Sequence, residues 1–237
     1  DGAVFHSEDL PIIVGGQLTV LPNQTVTIAP GTVIKMGSYP SFGSILIQGH
    51  LIAEGTEENK IYITSIRDDS VGGDTNGDGD ATTPAPRNWS SIFLENGSKA
   101  DFDHTMLSYG GFNYNGEYLI GVAAAIYNRG SDLTISNSLF SDNNHTAIFA
   151  DAGVTNISRS EFTNNLMGIW SRGGSINISN SNLHNNTNFA IYNDGNGPQI
   201  DARNNWWGDI SGPRDGNLFN PPGLGDTIVG NVLYTPF

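Results

Sequence analysis

The sequence predicts an all-β chain wound as a solenoid of stacked parallel strands, on three observations. First, residues 124–208 repeat at a period of 21 to 22 without losing register: Ile126, Ile148, Ile169 and Ile191 form one column, and Ile135, Ile157, Ile178 and Ile200 form another nine residues on. A fixed interval inside so short a repeat makes each repeat one turn of a coil, with two short extended segments and their corners. Second, the residues flanking these isoleucines alternate polar with apolar over runs too short for an amphipathic helix, so they read as strands. Third, Asn, Gly and Ser crowd the corners, as tight bends require. With coils stacked at about 4.8 Å, the isoleucines point into one apolar column and their neighbours point out.

Stacking predicts further columns. Ser136, Ser158, Ser179 and Asp201 align after the second isoleucines, and Asn143, Asn165 and Asn186 align eight residues past them. Amides stacked in register hydrogen-bond along the stack, so corner architecture accounts for the Asn column better than chemistry does.

The bulk numbers bound the reading. A chain of 237 residues whose repeat never breaks into unrelated halves is expected to be one domain, 1–237. Its 37% hydrophobic content with 30 Gly and 27 Asn suits a thin-walled solenoid. No run of eighteen apolar residues exists, so no membrane span is expected. The chain opens at Asp1 with no basic and apolar leader, the expectation for a mature or excised module. A net charge of −14 and a pI near 4.4 speak against nucleic acid, whose phosphates need a positive partner surface. The absence of Cys removes disulfides, thiolate metal sites and Cys nucleophiles together, without placing the compartment.

In chain order, residues 1–43 read as an N-terminal cap and first turn, with 1–11 the expected cover of the open end. Leu51 and Ile92 extend the isoleucine column backwards. One residue on lies an outward column of Ile52, Phe93, Tyr127, Phe149, Trp170 and Tyr192. An apolar stripe of this kind is a binding surface unless something covers it. Three occupants are open: a loop such as Gly110–Gly121 folding back, a partner subunit, or a glycan. Two residues further, Glu54, Glu95, Arg129, Asp151, Arg172 and Asp194 form a charged column, read as a surface ladder.

Residues 66–88 interrupt the repeat with an acidic insertion. Asp74, Asn76, Asp78 and Gly79 match the start of a D-x-[DN]-x-[DN]-G calcium loop, but its twelfth position is Ala85 in place of Glu. With Asp68, Asp69 and Asp80 nearby, the carboxylates repel one another unless a cation binds. Asp69, Asp74, Asn76, Asp78 and Asp80 are therefore the candidate ligands of a structural calcium ion. Asp101 and Asp103 point outward from one strand, roughly 6 to 7 Å apart, with His104 expected inward beside Phe102. That spacing makes them candidate acid and base of a glycosidase, and Arg129 a candidate uronate-binding or proton-abstracting arginine. Sequons stand at Asn23, Asn88, Asn96, Asn144, Asn156, Asn177 and Asn185, a mild excess over chance. The period ends beyond Asn204, and 209–237 reads as a C-terminal strap.

APGTVIK (Ala29–Lys35), ILIQGHLIAEG (Ile45–Gly55) followed by Ile61–Ser65, and NNWWGDISGP (Asn204–Pro213) resemble the right-handed parallel β-helix proteins of the pectin-lyase-like group. The resemblance covers nearly the whole chain. It implies a right-handed, single-stranded parallel β-helix of the kind found in secreted and cell-surface proteins. Polygalacturonase-like members of that group carry clustered aspartates with a Gly-His-Gly motif, and pectate-lyase-like members carry calcium beside an arginine base. This sequence has neither pattern. The expectation is therefore a non-catalytic extracellular or cell-surface module, such as a surface layer piece, filament subunit or adhesin, that self-associates or binds a surface polymer. The alternative is a polysaccharide lyase, hydrolase or glycan-binding module working along one face of the stack.

Overall fold

The structure, a computed structural model, describes residues 2–6, 10–112, 123–195 and 197–237. Among these, every strand pairing is parallel and no helix occurs. The chain is a right-handed parallel β-helix. Each coil has three faces, where the sequence suggested two extended segments. The third strand was hidden by its length: Leu139–Ser141, Glu161–Thr163 and Asn182–His184 are three residues each, with a single inward side chain apiece.

The first face stacks Gln17–Val20, Ser44–Ile47, Ile92–Leu94, the start of Ala124–Ser136 and of Thr146–Ser158, then Met167–Ser171, Phe189–Asn193 and Gly225–Val229. Its inward column runs Leu18, Ile45, Ile92, Ile126, Ile148, Ile169, Ile191, Ile228. The second face carries Ile28, Ala53, Phe102, Ile135, Ile157 and Ile178 inward. The third carries Ile12, Ile34, Ile63, Leu107, Phe140, Phe162 and Leu183. These columns meet in one continuous core. The Phe140 and Phe162 rings stack 5.1 Å apart at 9°.

Two columns differ from the sequence reading. Leu51 belongs to the second face, opposite Val26 and Ala100, and Ile45 takes the place assigned to it on the first. Asp201 lies opposite Asn177, not Ser179, and Ile200 moves with it, because the corner after Asn193 holds two more residues than its predecessors. The supposed N-terminal cover contributes a strand, Ala3–Phe5, paired with Val26–Ile28, while residues 1 and 7–9 lie outside the described ones. The C-terminal strap likewise supplies Gly225–Val229 to the first face and Val232–Leu233 to the second.

The corners explain the composition. Between the second and third faces, His104, Asn137, Arg159, Asn180 and Asn204 all have φ between 46° and 60°. Between the third face and the next coil, Tyr109, Asp142, Asn164 and Asn185 have φ between 54° and 67°. Asn and Asp tolerate this left-handed region better than other side chains, which is why they recur there. Each bend leaves a backbone N–H turned away from its ladder, and a buried side chain one coil on receives it. The N–H groups of Thr105, Ser138, Ser160 and Ser181 donate to Ser138 Oγ, Ser160 Oγ, Ser181 Oγ and Asn205 Oδ1 at 2.9–3.2 Å. At the other corner Gly110, Asn143 and Asn165 donate to the Oδ1 of Asn143, Asn165 and Asn186 at 2.9, 3.0 and 3.3 Å. The Asn143 and Asn165 amides also donate to the next Oδ1, both at 3.1 Å. The column ends on Asp226, whose Oδ2 accepts the N–H and the amide of Asn186 at 2.7 and 2.9 Å.

Candidate functional site

The insertion 66–88 leaves the third face after Ile61–Ser65 and returns to the first before Ile92–Leu94. It draws Asp69, Asp74 and Asp78 together, one oxygen from each lying within 4.8 Å of the others. The turn 74–79 is built by the Asp74 carboxylate, which accepts N–H bonds from Gly77 at 2.7 Å, Asp78 at 3.3 Å and Gly79 at 2.9 Å. Gly77 and Gly79 hold φ of 71° and 61°, the conformation those bonds demand. These donors, Gly79 foremost, hold the Asp74 carboxyl below its ordinary value. Asp69 moves the opposite way, raised by burial and then by the charge of Asp74. Asp69 Oδ1, Asp78 Oδ1 and Thr75 Oγ1 are buried with no hydrogen-bond partner. The donor set is hard oxygen converging on one point, which fits a calcium ion. Asn76 contributes otherwise: its amide donates to Asp78 Oδ2 at 2.8 Å. Asp80 is exposed and lies outside the group.

Lys35, which the sequence reading passed over, lies beneath this loop with no exposed surface. Its neighbours Ile34 and Met36 point into the core, so its own side chain leaves the third face outward and is buried only because the insertion covers it. Nζ donates to the carbonyl oxygens of Asp68 and Gly73. Burial lowers the Lys35 value, and the charges of Asp68, Asp69 and Asp74 oppose that shift without cancelling it. The one sequence signal was a lone cation inside the apolar run Val33–Met36.

Asp101 and Asp103 both lie on the outer surface of the second face, half-buried, and each has partners through one carboxylate oxygen. Asp101 Oδ2 is 2.7 Å from His50 Nε2 and 2.8 Å from Lys99 Nζ. Asp103 Oδ1 accepts from Ser136 Oγ at 2.8 Å and Asn137 Nδ2 at 2.7 Å, both on the next coil. His104 is not inward beside Phe102, because its left-handed φ turns it to the corner, where Nδ1 lies 3.1 Å from Asp103 Oδ1. Arg129 sits where the strand register shifts and pairs with Glu95 at 3.1 Å. Arg172 and Asp151 pair at 2.7 Å, whereas Glu54 leaves the charged column and lies opposite Asp103.

Phe93, Tyr127, Phe149, Trp170 and Tyr192 do stack in register, with ring centroids 4.9–6.2 Å apart. Leu46, not Ile52, precedes them. The stripe is not an open surface throughout: Phe93, Tyr127 and Phe149 are buried, and only Trp170 and Tyr192 remain half-buried. The Arg172 guanidinium lies 5.3 Å over the Phe149 ring. Most of the Gly110–Gly121 loop expected to cover the stripe, residues 113–121, lies outside the described residues. Of the sequons, Asn23, Asn96, Asn156, Asn177 and Asn185 are exposed and Asn144 is half-buried. Asn88 is buried, its Oδ1 accepting from Ser65 Oγ and the Ala85 N–H at 2.9 Å each, which leaves no room for a glycan on the folded chain.

Residues 121–208 match the family described as a right handed beta helix region, and parallel coils of the same fold continue on both sides of that stretch. No curated protein and no solved structure matches the chain. No helix among the described residues is long and apolar enough to cross a membrane.

Burial alone would raise the Asp101 and Asp103 carboxyls, but their hydrogen bonds, from Lys99 and His50 and from Asn137 and Ser136 respectively, hold both below the ordinary 3.8. The unfolded chain therefore binds more protons in that range, and the stability these bonds add is complete above the ordinary value and lost as pH falls through the folded one. In urea denaturation, Asp101→Asn is expected to be less stable than wild type at neutral pH, the gap closing as pH drops below about 4. A gap independent of pH would contradict this.

Proposed function

We propose that the chain is a non-catalytic structural or adhesive β-helix module of an extracellular or cell surface, stabilised by calcium in the insertion 66–88. One observation carries the non-catalytic reading: Asp101, Asp103 and Arg129 each use their charge in bonds within or between neighbouring coils. The calcium reading is supported by the convergence of Asp69, Asp74 and Asp78 and by the unbonded Oδ1 atoms of Asp69 and Asp78. Calcium is plentiful outside cells, and an irregular site of this kind needs only a Kd on the order of 0.1–1 mM there. Glycans on the exposed sequons and self-association of modules suit the same setting. A glycan-binding reading has one observation in its favour: Trp170 and Tyr192 stay half-buried, their rings 5.9 Å apart along the stack.

Two measurements test the proposal. With a Kd of about 0.5 mM, about 5 mM calcium adds roughly 1.4 kcal/mol, or roughly 3–6 °C in Tm for a domain of this size. Replacing Asp69, Asp74 and Asp78 with Asn is expected to abolish that shift, and a Tm unchanged between calcium and excess EGTA removes the calcium reading. Incubated with neutral and acidic polysaccharides, the wild type is expected to release no product. Cleavage that disappears in Asp101→Ala or Asp103→Ala would overturn the non-catalytic reading.

A further inference from the structure

We infer that Lys35 is an internal cation that clamps the start of the acidic insertion onto the third face, keeping it docked without any divalent ion. This goes beyond the calcium reading and stands or fails separately from it.

The geometry is that of a tether. A single ammonium, fully buried, reaches the carbonyl oxygens of Asp68 and Gly73, five residues apart in the insertion. Docking is reinforced on both sides of it. Thr64, beside Lys35 in register, donates its hydroxyl to Asp68 Oδ2 at 2.6 Å. Gly72, at φ 70°, lies so close to the face that an added Cβ would meet Pro11 Cγ at 2.5 Å, Val33 Cγ1 at 3.2 Å and Lys35 Cε at 3.5 Å. The clamp has a defined limit, since Ile13, next to Lys35 on the preceding coil, is 52% exposed.

Charge explains why lysine stands there. The insertion gathers the charges of Asp68, Asp69 and Asp74 around the Lys35 ammonium. Without that cation the carboxylates would face one another uncompensated, and the Asp68 and Gly73 carbonyls would lose a donor where the loop shields them from water. An apolar side chain of equal length fills the space but supplies neither bond. The insertion therefore carries its own counter-ion, drawn from the coil beneath it.

The chain has three lysines, Lys35, Lys60 and Lys99, which makes amine footprinting a direct test. Amine acylation needs contact between reagent and Nζ, so slow reaction of a side chain with no exposed surface reports its cover. In excess EGTA, Lys35 of the wild type is expected to react at least about tenfold more slowly than Lys99. In Lys35→Met, protease is expected to cut within 66–88 at least about tenfold faster than in wild type, with residues 124–208 still resistant and Lys35→Arg partly restoring protection. Lys35 reacting in EGTA as fast as Lys99, or cleavage unchanged in Lys35→Met, overturns the inference. If Lys35→Met does not fold, the wild-type footprint decides alone. Calcium titration separates the two readings: no calcium binding with Lys35 protected removes only the metal, and calcium binding with Lys35 exposed in EGTA removes only the clamp.

Discussion

Everything in this molecule depends on hydrogen-bonding the backbone at corners that are buried between coils. A parallel strand satisfies its N–H and C=O groups against the coils above and below, but a bend turns some of them out of that ladder. An unpaired buried donor costs about 1–3 kcal/mol, and each coil has more than one bend. The Ser138–Ser160–Ser181 and Asn143–Asn165–Asn186 columns answer that demand by bonding each corner to the next, so the polar groups are as much a part of the core as the isoleucines. Strict register follows, because a slip of one residue would leave both ladders without acceptors and turn every isoleucine outward.

Once the corners are fixed, the outer surfaces have little freedom. Side chains next to one another along the stack must be compatible at strand spacing. The surface therefore resolves into pairs that join neighbouring coils: His50 with Asp101, Asp103 with Ser136, Glu95 with Arg129, Asp151 with Arg172, Glu161 with His184. A strongly acidic chain can tolerate such close stacking only where its few cations are well distributed. Lys35 is the extreme case, a fully buried cation that bonds the underside of an inserted acidic loop.

The periodic part of this design is legible in the sequence because stacking forces spatial neighbours to recur at 21 to 22 residues. Ile126 through Ile191 and Asn143 through Asn186 could be placed from spacing alone. Where corner length varies, spacing misleads: the insertion before Ile92 breaks the count and placed Leu51 in Ile45's column, and the longer corner before Ile200 moved Asp201 from Ser179 to Asn177. Burial by irregular segments leaves no periodic trace. Nothing in the pattern says that Phe93, Tyr127 and Phe149 are covered while Tyr192 is less so, or that Lys35 lies under a loop more than thirty residues later. Asp226 was equally hidden, since it completes an amide column with a different residue type from a non-repeating segment.

The corner ladders can be tested against an internal control of the same residue type. Asn165 is fully buried, with its N–H, amide and side-chain carbonyl all used, whereas Asn156 on the same coil is exposed and its side chain accepts a bond from the Asn177 amide. Equilibrium denaturation of Asn165→Ala and Asn156→Ala compares them directly. The account predicts a loss of about 3 kcal/mol for Asn165→Ala and no more than about 0.5 kcal/mol for Asn156→Ala. Equal, small losses at both positions would contradict it, and would mean that the apolar columns hold the coils in register without help from the corners.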